Sequence, residues 1–553
     1  MTGSKSNSGA VLGERSADEV LVAKRLLIIG LDGATFTILK PLMAAGKMPH
    51  LRSVMESGAS GPLRSTTPAL TPAAWTTFLT GKQPGTHGII DFEQYDSLTN
   101  TFKMNTACCG DHSPTIWKIL GDRGLKVGSV NVPMTYPPVP VNGFMVSGFE
   151  TPGPESDFVY PQELRDELLS RWADPTCGKN WRRKTFGGLA QFRRNVDYMS
   201  QSFHQGADMT IWLGDKHGWD VLMVVLKLVD NLQHKTWKHL DPRFAHRDKK
   251  KREIAFAAFE ALDVAVGKLL DYAAENEAAV MIVSDHGHGS LEGKVHPNAL
   301  LQRWGYLHSK PGTGAGARSQ NVRQAGRLER VLPLDLSKTR AAVMHAGIGG
   351  FLYFNLKGRQ PTGIVEPSDY EGLRDELIAR FLGEECQARN PQGESVSLFS
   401  EVHRPEEVYG CSREAQPWLP DLILIPQPSL CVVRRLRGDT VVKWFSYRRM
   451  EGTHRQDGIF LTAGPGIGHQ EDVRAHIVDC APTALAMIGQ SIPEDFEGRV
   501  ITEAFTEPPL IKTASVTAET VTPGLSGQPA PEAYSEDDLK KVTERLSDLG
   551  YLE

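Results

Sequence analysis

Three apolar runs, each ending in or followed directly by an aspartate, constrain the fold of this chain more than any other feature. They are Arg25 to Gly33 (RLLIIGLDG), Asp220 to Val229 (DVLMVVLKLV, then Asp230) and Ala278 to Ser284 (AAVMIVS, then Asp285). Continuous apolar runs of this length are typical of parallel strands that are buried on both faces. Asp421 to Ile425 is a fourth candidate. Because ligands of open α/β sheets bind beyond the carboxyl ends of the strands, we expect Asp32, Asp230 and Asp285 to converge.

Helical patterns between these runs provide the crossovers that parallel strands require. Residues from Glu253 to Tyr272 place an apolar stripe on one face of a helix, between the Asp230 segment and the Asp285 strand. Ile477 to Ile488 is a second apolar helix. The chain is therefore predicted to be an α/β protein with a mostly parallel central sheet flanked by helices.

Composition changes along the 553 residues predict how the chain is organised. Residues 1–24 are predicted to be a disordered tail, and residues 25–505 to form the main domain. Two stretches, about 100–215 and about 308–450, are predicted insertions that cap the ligand site. Residues 506–534, rich in Pro, Thr, Ser and Gly, are a predicted linker. Residues 535–553 are predicted to form a C-terminal helix that begins at Ser535.

Charge and hydropathy exclude several classes of protein. The net charge of −5 and the pI near 6.4 do not suit a general nucleic-acid-binding protein. The apolar runs are far shorter than the roughly 20 residues that span a bilayer, and the N-terminus lacks a signal sequence. We therefore predict a cytoplasmic protein with no membrane or nucleic-acid partner. No pattern predicts its oligomeric state.

Thr71 begins the segment TPAAWTTFLTG, for which two interpretations are possible. Thr-Pro before an apolar segment predicts a helix start, with Thr71 at the N-cap and Pro72 at N1. A capping role alone would account for the threonine. The same geometry places a hydroxyl in the positive potential of a helix N-terminus, where an alkoxide and an incoming phosphate are favoured. A metal bound to that oxygen would activate it as a nucleophile.

Aspartates and histidines elsewhere favour the second interpretation. Asp230 and His234 are four residues apart, so they face the same side of a helix. Asp285 and His286 are adjacent at a strand end and suit one metal or two. Carboxylate oxygen and imidazole nitrogen are ligands for zinc or manganese. His454, in a Gly-Thr-His motif, supplies a further imidazole.

These motifs together resemble the alkaline phosphatase superfamily, in particular its type I phosphodiesterase/nucleotide pyrophosphatase branch. The resemblance covers roughly residues 25–505. It is carried by LLIIGLDG, TPAAWTTFLTGKQPGTHGI, Asp230-x-x-x-His234, SDHGHG and GTHRQDGIF. The bacterial group described as predicted phosphohydrolases or phosphomutases is the most similar. The resemblance implies an alkaline-phosphatase-like core, with 25–505 as the catalytic domain of a phosphoric ester hydrolase.

The resemblance also implies a role for each site residue. One metal would be held by Asp32, Thr71, Asp285 and His286, and the other by Asp230, His234 and His454. Thr71 would attack phosphorus and form a phosphothreonine. The resemblance implies two divalent ions. Zinc is the usual ion in the family, and manganese is the alternative. The substrate would be a small phosphate ester.

One position departs from the family pattern. Nucleotide pyrophosphatases of this branch place an Asn after Gly-Ile-x-Asp, where it helps to hold the phosphoryl oxygens. This chain has Phe92 at that position, which argues against a nucleotide pyrophosphate substrate. We therefore favour phosphodiester hydrolysis, with a phosphomutase or a phosphomonoesterase as the alternatives. His87, Trp75, His296 and His345 are predicted to be structural, and His288 to support the metal ligands.

Overall fold

The computed structural model describes residues 22–96, 99, 101–106, 113–176, 187–310, 320–324, 327–331, 334–411, 416, 418–436, 440–515 and 534–549. Almost all of the predicted N-terminal tail lies outside these residues. Most of the predicted linker also lies outside them, as do residues 550–553 of the predicted C-terminal helix.

A nine-stranded sheet forms the centre of the described structure. Its strands, in spatial order, are Ala475–His476, Ala59–Arg64, Asp457–Ala463, Ala278–Val283, Arg25–Gly30, Val221–Val225, Val127–Val132, Gly143–Ser147 and Val159–Tyr160. The five strands from Ala278–Val283 to Gly143–Ser147 are mutually parallel. The predicted α/β class and mostly parallel sheet are confirmed.

The register of the three innermost strands explains where the site forms. Arg25–Gly30 lies between the other two, with Gly30 opposite both Val225 and Val283. All three strands therefore end at one level, and the segments that follow them emerge side by side. Their residues are almost completely buried, as expected for parallel strands covered on both faces.

The structure corrects two of the strand predictions. The second apolar run is a strand only over Val221–Val225, and Leu228–Leu240 is a helix, so Asp230 lies in a first helical turn instead of at a strand end. Lys227 interrupts the apolar run just before that helix. The fourth run forms the strand Leu422–Pro426, but this strand pairs antiparallel in a separate four-stranded sheet.

Part of the stretch from about 100 to 215 belongs to the central sheet, to which it contributes three strands. Its helix Leu189–His217 packs along Lys249–Glu275, which contains the predicted crossover helix. The domain boundaries themselves stay a prediction.

The remaining described strands form small sheets. They are Glu93–Asp96 with Thr101–Met104; Gly287–Leu291 with Glu451–Arg455; Gly293–Val295 with Leu430–Val432 and Val442–Trp444; Gln320–Gln324 with Arg327–Val331; Ala341–Val343, Gly350–Phe354, Phe399–His403 and Leu422–Pro426; Gln387–Arg389 with Ser395–Ser397; and Ile492–Pro493 with Thr513–Ala514.

The described α-helices lie on the faces of the central sheet and in the stretches of about 100–215 and about 308–450. They are Phe36–Ala44, Pro49–Ser57, Thr71–Thr80, Pro84–His87, Ile116–Asp122, Arg165–Arg171, Leu189–His217, Leu228–Leu240, Lys249–Glu275, Pro297–Arg303, Tyr370–Leu382, Pro405–Tyr409, Cys480–Met487 and Glu536–Leu549. Among the described residues, no helix has the length and apolar character needed to cross a membrane.

The C-terminal helix Glu536–Leu549 is docked on the main body of the protein. Val542 and Leu546 are fully buried in the large core cluster. The buried Arg545 guanidinium donates hydrogen bonds to the carbonyls of Phe149, Thr151 and Pro152. The last described helix therefore fixes the loop that carries Phe149.

Candidate metal centre

Asp32 and Asp285 lie just beyond the ends of two adjacent parallel strands. Asp285 Oδ1 accepts a hydrogen bond from the backbone N–H of Gly33 at 3.0 Å, which ties the two segments together. Gly33 has φ +69°, and a Cβ there would lie 2.9 Å from His288 Nδ1, so only glycine fits the turn. Both carboxylates are completely buried.

Thr71 lies at the first residue of the helix Thr71–Thr80. The prediction of Thr71 as the N-cap is wrong: Leu70, with extended backbone angles, holds that position, and its carbonyl accepts the first helical hydrogen bond from Ala74. The Thr71 hydroxyl lies 3.2 Å from His286 Nε2. On the same helix, Trp75 Nε1–H donates to Asp32 Oδ2 at 3.1 Å. The helix thus brings the hydroxyl to the strand-end carboxylates.

Asp230 and His234 occupy the helix Leu228–Leu240, one turn apart as predicted. His234 Nε2 lies 3.1 Å from Asp230 Oδ1. On the other side of this carboxylate, Lys227 Nζ lies 2.6 Å from Asp230 Oδ2 and 3.6 Å from Asp32 Oδ1. The buried Lys227 ammonium therefore joins two of the predicted ligands, a role that the sequence reasoning missed. The only trace in the sequence is a lysine within an otherwise apolar run.

His454 reaches the centre from a two-stranded antiparallel ladder, Gly287–Leu291 with Glu451–Arg455. Its ring stacks on that of His286, with centroids 3.5 Å apart and planes at 15°. His454 Nε2 lies 3.6 Å from Asp230 Oδ1 and 3.0 Å from His234 Nε2. The structure thus brings together all seven predicted site residues, which the sequence separates by more than 400 positions.

The three predicted imidazole ligands share one orientation. In each, Nδ1 lies near a backbone carbonyl: His234 with Gly452 at 2.8 Å, His286 with Gly287 at 3.0 Å and His454 with Ala69 at 2.9 Å. Because a carbonyl only accepts, these contacts place a proton on each Nδ1, which leaves each Nε2 available to bind a metal. Metal-binding histidines are typically held in this way.

Burial and mutual repulsion act on two of the carboxylates. Burial, together with the charge of Asp285, raises the pKa of Asp32 from its ordinary value near 3.8 to about 8. Burial also raises the pKa of Asp285, to about 7. Asp230 differs: burial disfavours its charged form, but His234 and Lys227 outweigh this and hold its pKa well below the usual range. The charged forms of the carboxylates are therefore disfavoured on the Asp32 side of the centre and favoured at Asp230.

The donor set fits divalent cations. Asp32 Oδ1 and Asp285 Oδ2 are buried and have no hydrogen-bond partner among the described residues. Potential ligand atoms lie within 4.8 Å of one another in three groups: Asp32, Asp285 and His286; Asp230, His286 and His454; and Asp230, His234 and His288. Buried carboxylates and inward lone pairs without protons between them are satisfied by a cation.

Side chains around the centre have other partners. His87 Nε2 contacts the Thr77 hydroxyl at 2.9 Å, which fits the predicted structural role beside the Thr71 helix. His345 pairs with Asp91 at 2.8 Å. Phe92 is buried against Phe149, whose ring lies 4.9 Å from Lys227 Nζ. The position expected to hold Asn is thus part of an apolar wall beside a buried cation.

Comparison with solved structures shows the fold class that this geometry suggests. Phosphonoacetate hydrolase from Sinorhizobium meliloti 1021, in complex with phosphonoacetate, matches with a TM-score of 0.52 and 14% identity, covering 85% of this chain and 96% of that one. Murine ectonucleotide pyrophosphatase/phosphodiesterase 5 matches with a TM-score of 0.46 and 11% identity, over 84% and 95% of the two chains. No curated protein matched the chain. The predicted alkaline-phosphatase-like fold is confirmed.

A comparison of the sequence with protein-family models shows the family of this chain. The model for type I phosphodiesterase/nucleotide pyrophosphatase matches residues 26–457, most of the chain. The protein belongs to this family, whose members are metal-dependent phosphoric ester hydrolases, and it is an enzyme of that class.

Proposed function

We propose that the protein hydrolyses phosphodiesters through a phosphothreonine formed on Thr71 at a two-metal centre. The observation that carries the proposal is the Thr71 hydroxyl, 3.2 Å from His286 Nε2 and at the start of a helix that also contacts Asp32. A threonine with only a structural role would not need to face a cluster of buried carboxylates and imidazoles.

We assign the ligands to two sets, as the family resemblance implies. Asp32, Thr71, Asp285 and His286 would hold one cation, and Asp230, His234 and His454 the other, with zinc favoured by the resemblance and manganese as the alternative that the same donors suit. When bound, the two cations would neutralise the attacking and leaving oxygens of an in-line displacement. Burial raises the pKa values of Asp32 and Asp285, and a bound cation would favour their charged forms.

The reaction has two displacement steps at phosphorus. In the first, the Thr71 oxygen forms a bond to phosphorus while the bond to the leaving alcohol breaks, and the threonine proton ends on that alcohol. In the second, water displaces the Thr71 oxygen, restores its proton and releases a phosphate monoester. Lys227 keeps Asp230 and Asp32 in place throughout, through the contacts described above.

Substrate specificity would be determined by residues that lie beside the helix Thr71–Thr80. Residues of the 308–450 stretch form a separate core cluster that includes Phe351 and Leu424 and packs on Leu70 and Ala73. Within the proposed catalytic domain of residues 25–505, we therefore expect this stretch to contact the leaving group.

Hydrolysis of two chromogenic esters tests the proposed reaction. Metal-stripped protein with Zn²⁺ or Mn²⁺ added back should cleave bis-p-nitrophenyl phosphate faster than p-nitrophenyl phosphate. Cleavage of the monoester alone would replace the proposal with a phosphomonoesterase or a phosphomutase. Isotopically labelled water separates those two, since only hydrolysis incorporates water oxygen into the product.

The two metal sites should differ in their pH dependence. A proton on a carboxylate competes with a metal, and Asp32 and Asp285, with pKa values near 8 and 7, become protonated as the pH falls from 8 to 6. Asp230, with its lowered pKa, stays ionised. Lowering the pH from 8 to 6 should therefore weaken Zn²⁺ binding at the Asp32 site by about tenfold or more, with less effect at the Asp230 site. Calorimetric titration of metal-free protein at both pH values measures this, and equal weakening at both sites would contradict it.

A further inference from the structure

His288 is a buried imidazole beside the proposed metal ligands, for which the sequence analysis predicted only a supporting role. It lies on the strand Gly287–Leu291, directly opposite His454 in the antiparallel ladder. Residues opposite each other in such a ladder project their side chains to the same face, with Cβ atoms about 5 Å apart. His288 therefore enters the centre from the same surface as His454.

The ring nitrogens of His288 make no hydrogen bond to the described part of the protein. The side chain is completely buried, and neither Nδ1 nor Nε2 has a hydrogen-bond partner within the described part of the chain. Leaving a buried polar group without a partner costs about 1–3 kcal/mol. A structural core histidine would normally satisfy at least its N–H.

The position of His288 relative to Asp230 resembles that of the other imidazoles. His288 Nε2 lies 3.7 Å from Asp230 Oδ1, compared with 3.1 Å for His234 Nε2 and 3.6 Å for His454 Nε2. The rings of His288 and His234 meet edge to face, with centroids 4.5 Å apart. One carboxylate oxygen is thus surrounded by three imidazole Nε2 atoms.

A supporting role behind the ligands does not fit these contacts. A side chain that orients a metal-binding histidine does so by hydrogen bonding to its second nitrogen. Here the Nδ1 atoms of His234 and His454 contact the carbonyls of Gly452 and Ala69 instead. His288 is left with a free nitrogen directed at the same carboxylate as the ligands themselves.

We propose that His288 is a fourth protein ligand, through Nε2, of the cation held by Asp230, His234 and His454. This inference rests on the proposed two-metal centre. With His288, one carboxylate and three imidazoles give the Asp230 site four protein donors, the number that zinc prefers. The two sites would then differ in donor type, since the Asp32 site would have two carboxylates, one imidazole and the threonine oxygen.

The substitution His288→Leu in the full-length protein tests the assignment, since leucine fills the space and removes both nitrogens. Zn²⁺ affinity, measured in competition with a chromogenic chelator, should fall by about 100-fold or more at one site, beyond the effect of losing an orienting contact. The other site should change little. The Co²⁺-loaded variant should also lose the visible absorption expected of a four-coordinate site.

The metal-free variant provides a readout that separates binding from folding. His288 makes no hydrogen bond within the described structure. Its replacement by leucine should therefore leave the thermal unfolding temperature of the metal-free protein unchanged or higher. His239→Leu is the matched control: His239 is buried on the helix of Asp230 but outside the three ligand groups, so metal affinity should be retained.

Two outcomes would overturn the inference in distinguishable ways. Unchanged Zn²⁺ affinity and Co²⁺ absorption in His288→Leu, alongside loss of one site in His234→Ala, would show that His288 is not a ligand while the proposed centre stands. If His234→Ala also kept both sites, the proposed centre itself would be wrong, and the assignment of His288 with it.

Discussion

Replacement of Thr71 by alanine is expected to abolish turnover while the fold and metal binding are largely kept. The substitution removes the oxygen that would bond to phosphorus and that lies 3.2 Å from His286 Nε2. The loss of kcat should reach about a thousandfold or more, because removing a nucleophile eliminates the covalent route entirely. Steady-state hydrolysis of the preferred chromogenic ester by metal-loaded protein measures it.

Two controls make the Thr71 result specific. Thr76 lies on the same helix and is equally buried, so Thr76→Val tests whether any threonine change on this helix impairs activity. Thr71→Ser keeps a hydroxyl and should retain measurable turnover. A loss of less than about tenfold in Thr71→Ala would remove Thr71 as the nucleophile.

Replacement of Lys227 by methionine is expected to lower the free energy of unfolding of the metal-free protein by about 3–5 kcal/mol. Lys227 Nζ contacts Asp230 and Asp32 at 2.6 and 3.6 Å in a fully buried setting. Methionine fills the same space without the charge, so the substitution leaves buried carboxylates without their cation. Urea unfolding in the presence of a chelator measures the loss. Addition of Zn²⁺ should reverse much of it, since the metal supplies positive charge to the same carboxylates.

The pair formed by Lys268 and Asp208 is a matched control for Lys227. Its Nζ–Oδ1 distance is also 2.6 Å, but the two side chains are 40% and 50% exposed. Solvent and salt screen such a pair, so Lys268→Met should change stability far less. Equal effects of the two substitutions would show that burial around Lys227 does not act as proposed.

The sequence predicted the sheet and the convergence of its aspartates because both depend on short local patterns. Apolar runs of strand length define the buried parallel strands, and Asp32 and Asp285 lie just beyond two of them. The i, i+4 spacing of Asp230 and His234 needs only a helix to place both on one face. The roles of Thr71, His286 and His454 came from the family resemblance instead, and they stay predictions.

The rest depends on contacts between distant segments. The role of Lys227 follows from where the strand Val221–Val225 ends, which the residue pattern from Asp220 to Val229 does not reveal. The pairing of His288 with His454 requires the register of a ladder between segments more than 150 residues apart. The strand Leu422–Pro426 lies in a second sheet because it pairs antiparallel with two distant strands. Its apolar sequence does not reveal those partners.

The seating of the C-terminal helix ties a distant segment of the chain to the wall of the centre. Arg545 donates hydrogen bonds to the carbonyls of Phe149 and Thr151, and the Phe149 ring lies beside Lys227. Loss of this guanidinium would leave buried carbonyls without their donor. A protein without the helix Glu536–Leu549 would therefore keep every proposed metal ligand and still lose the support of the wall beside Lys227.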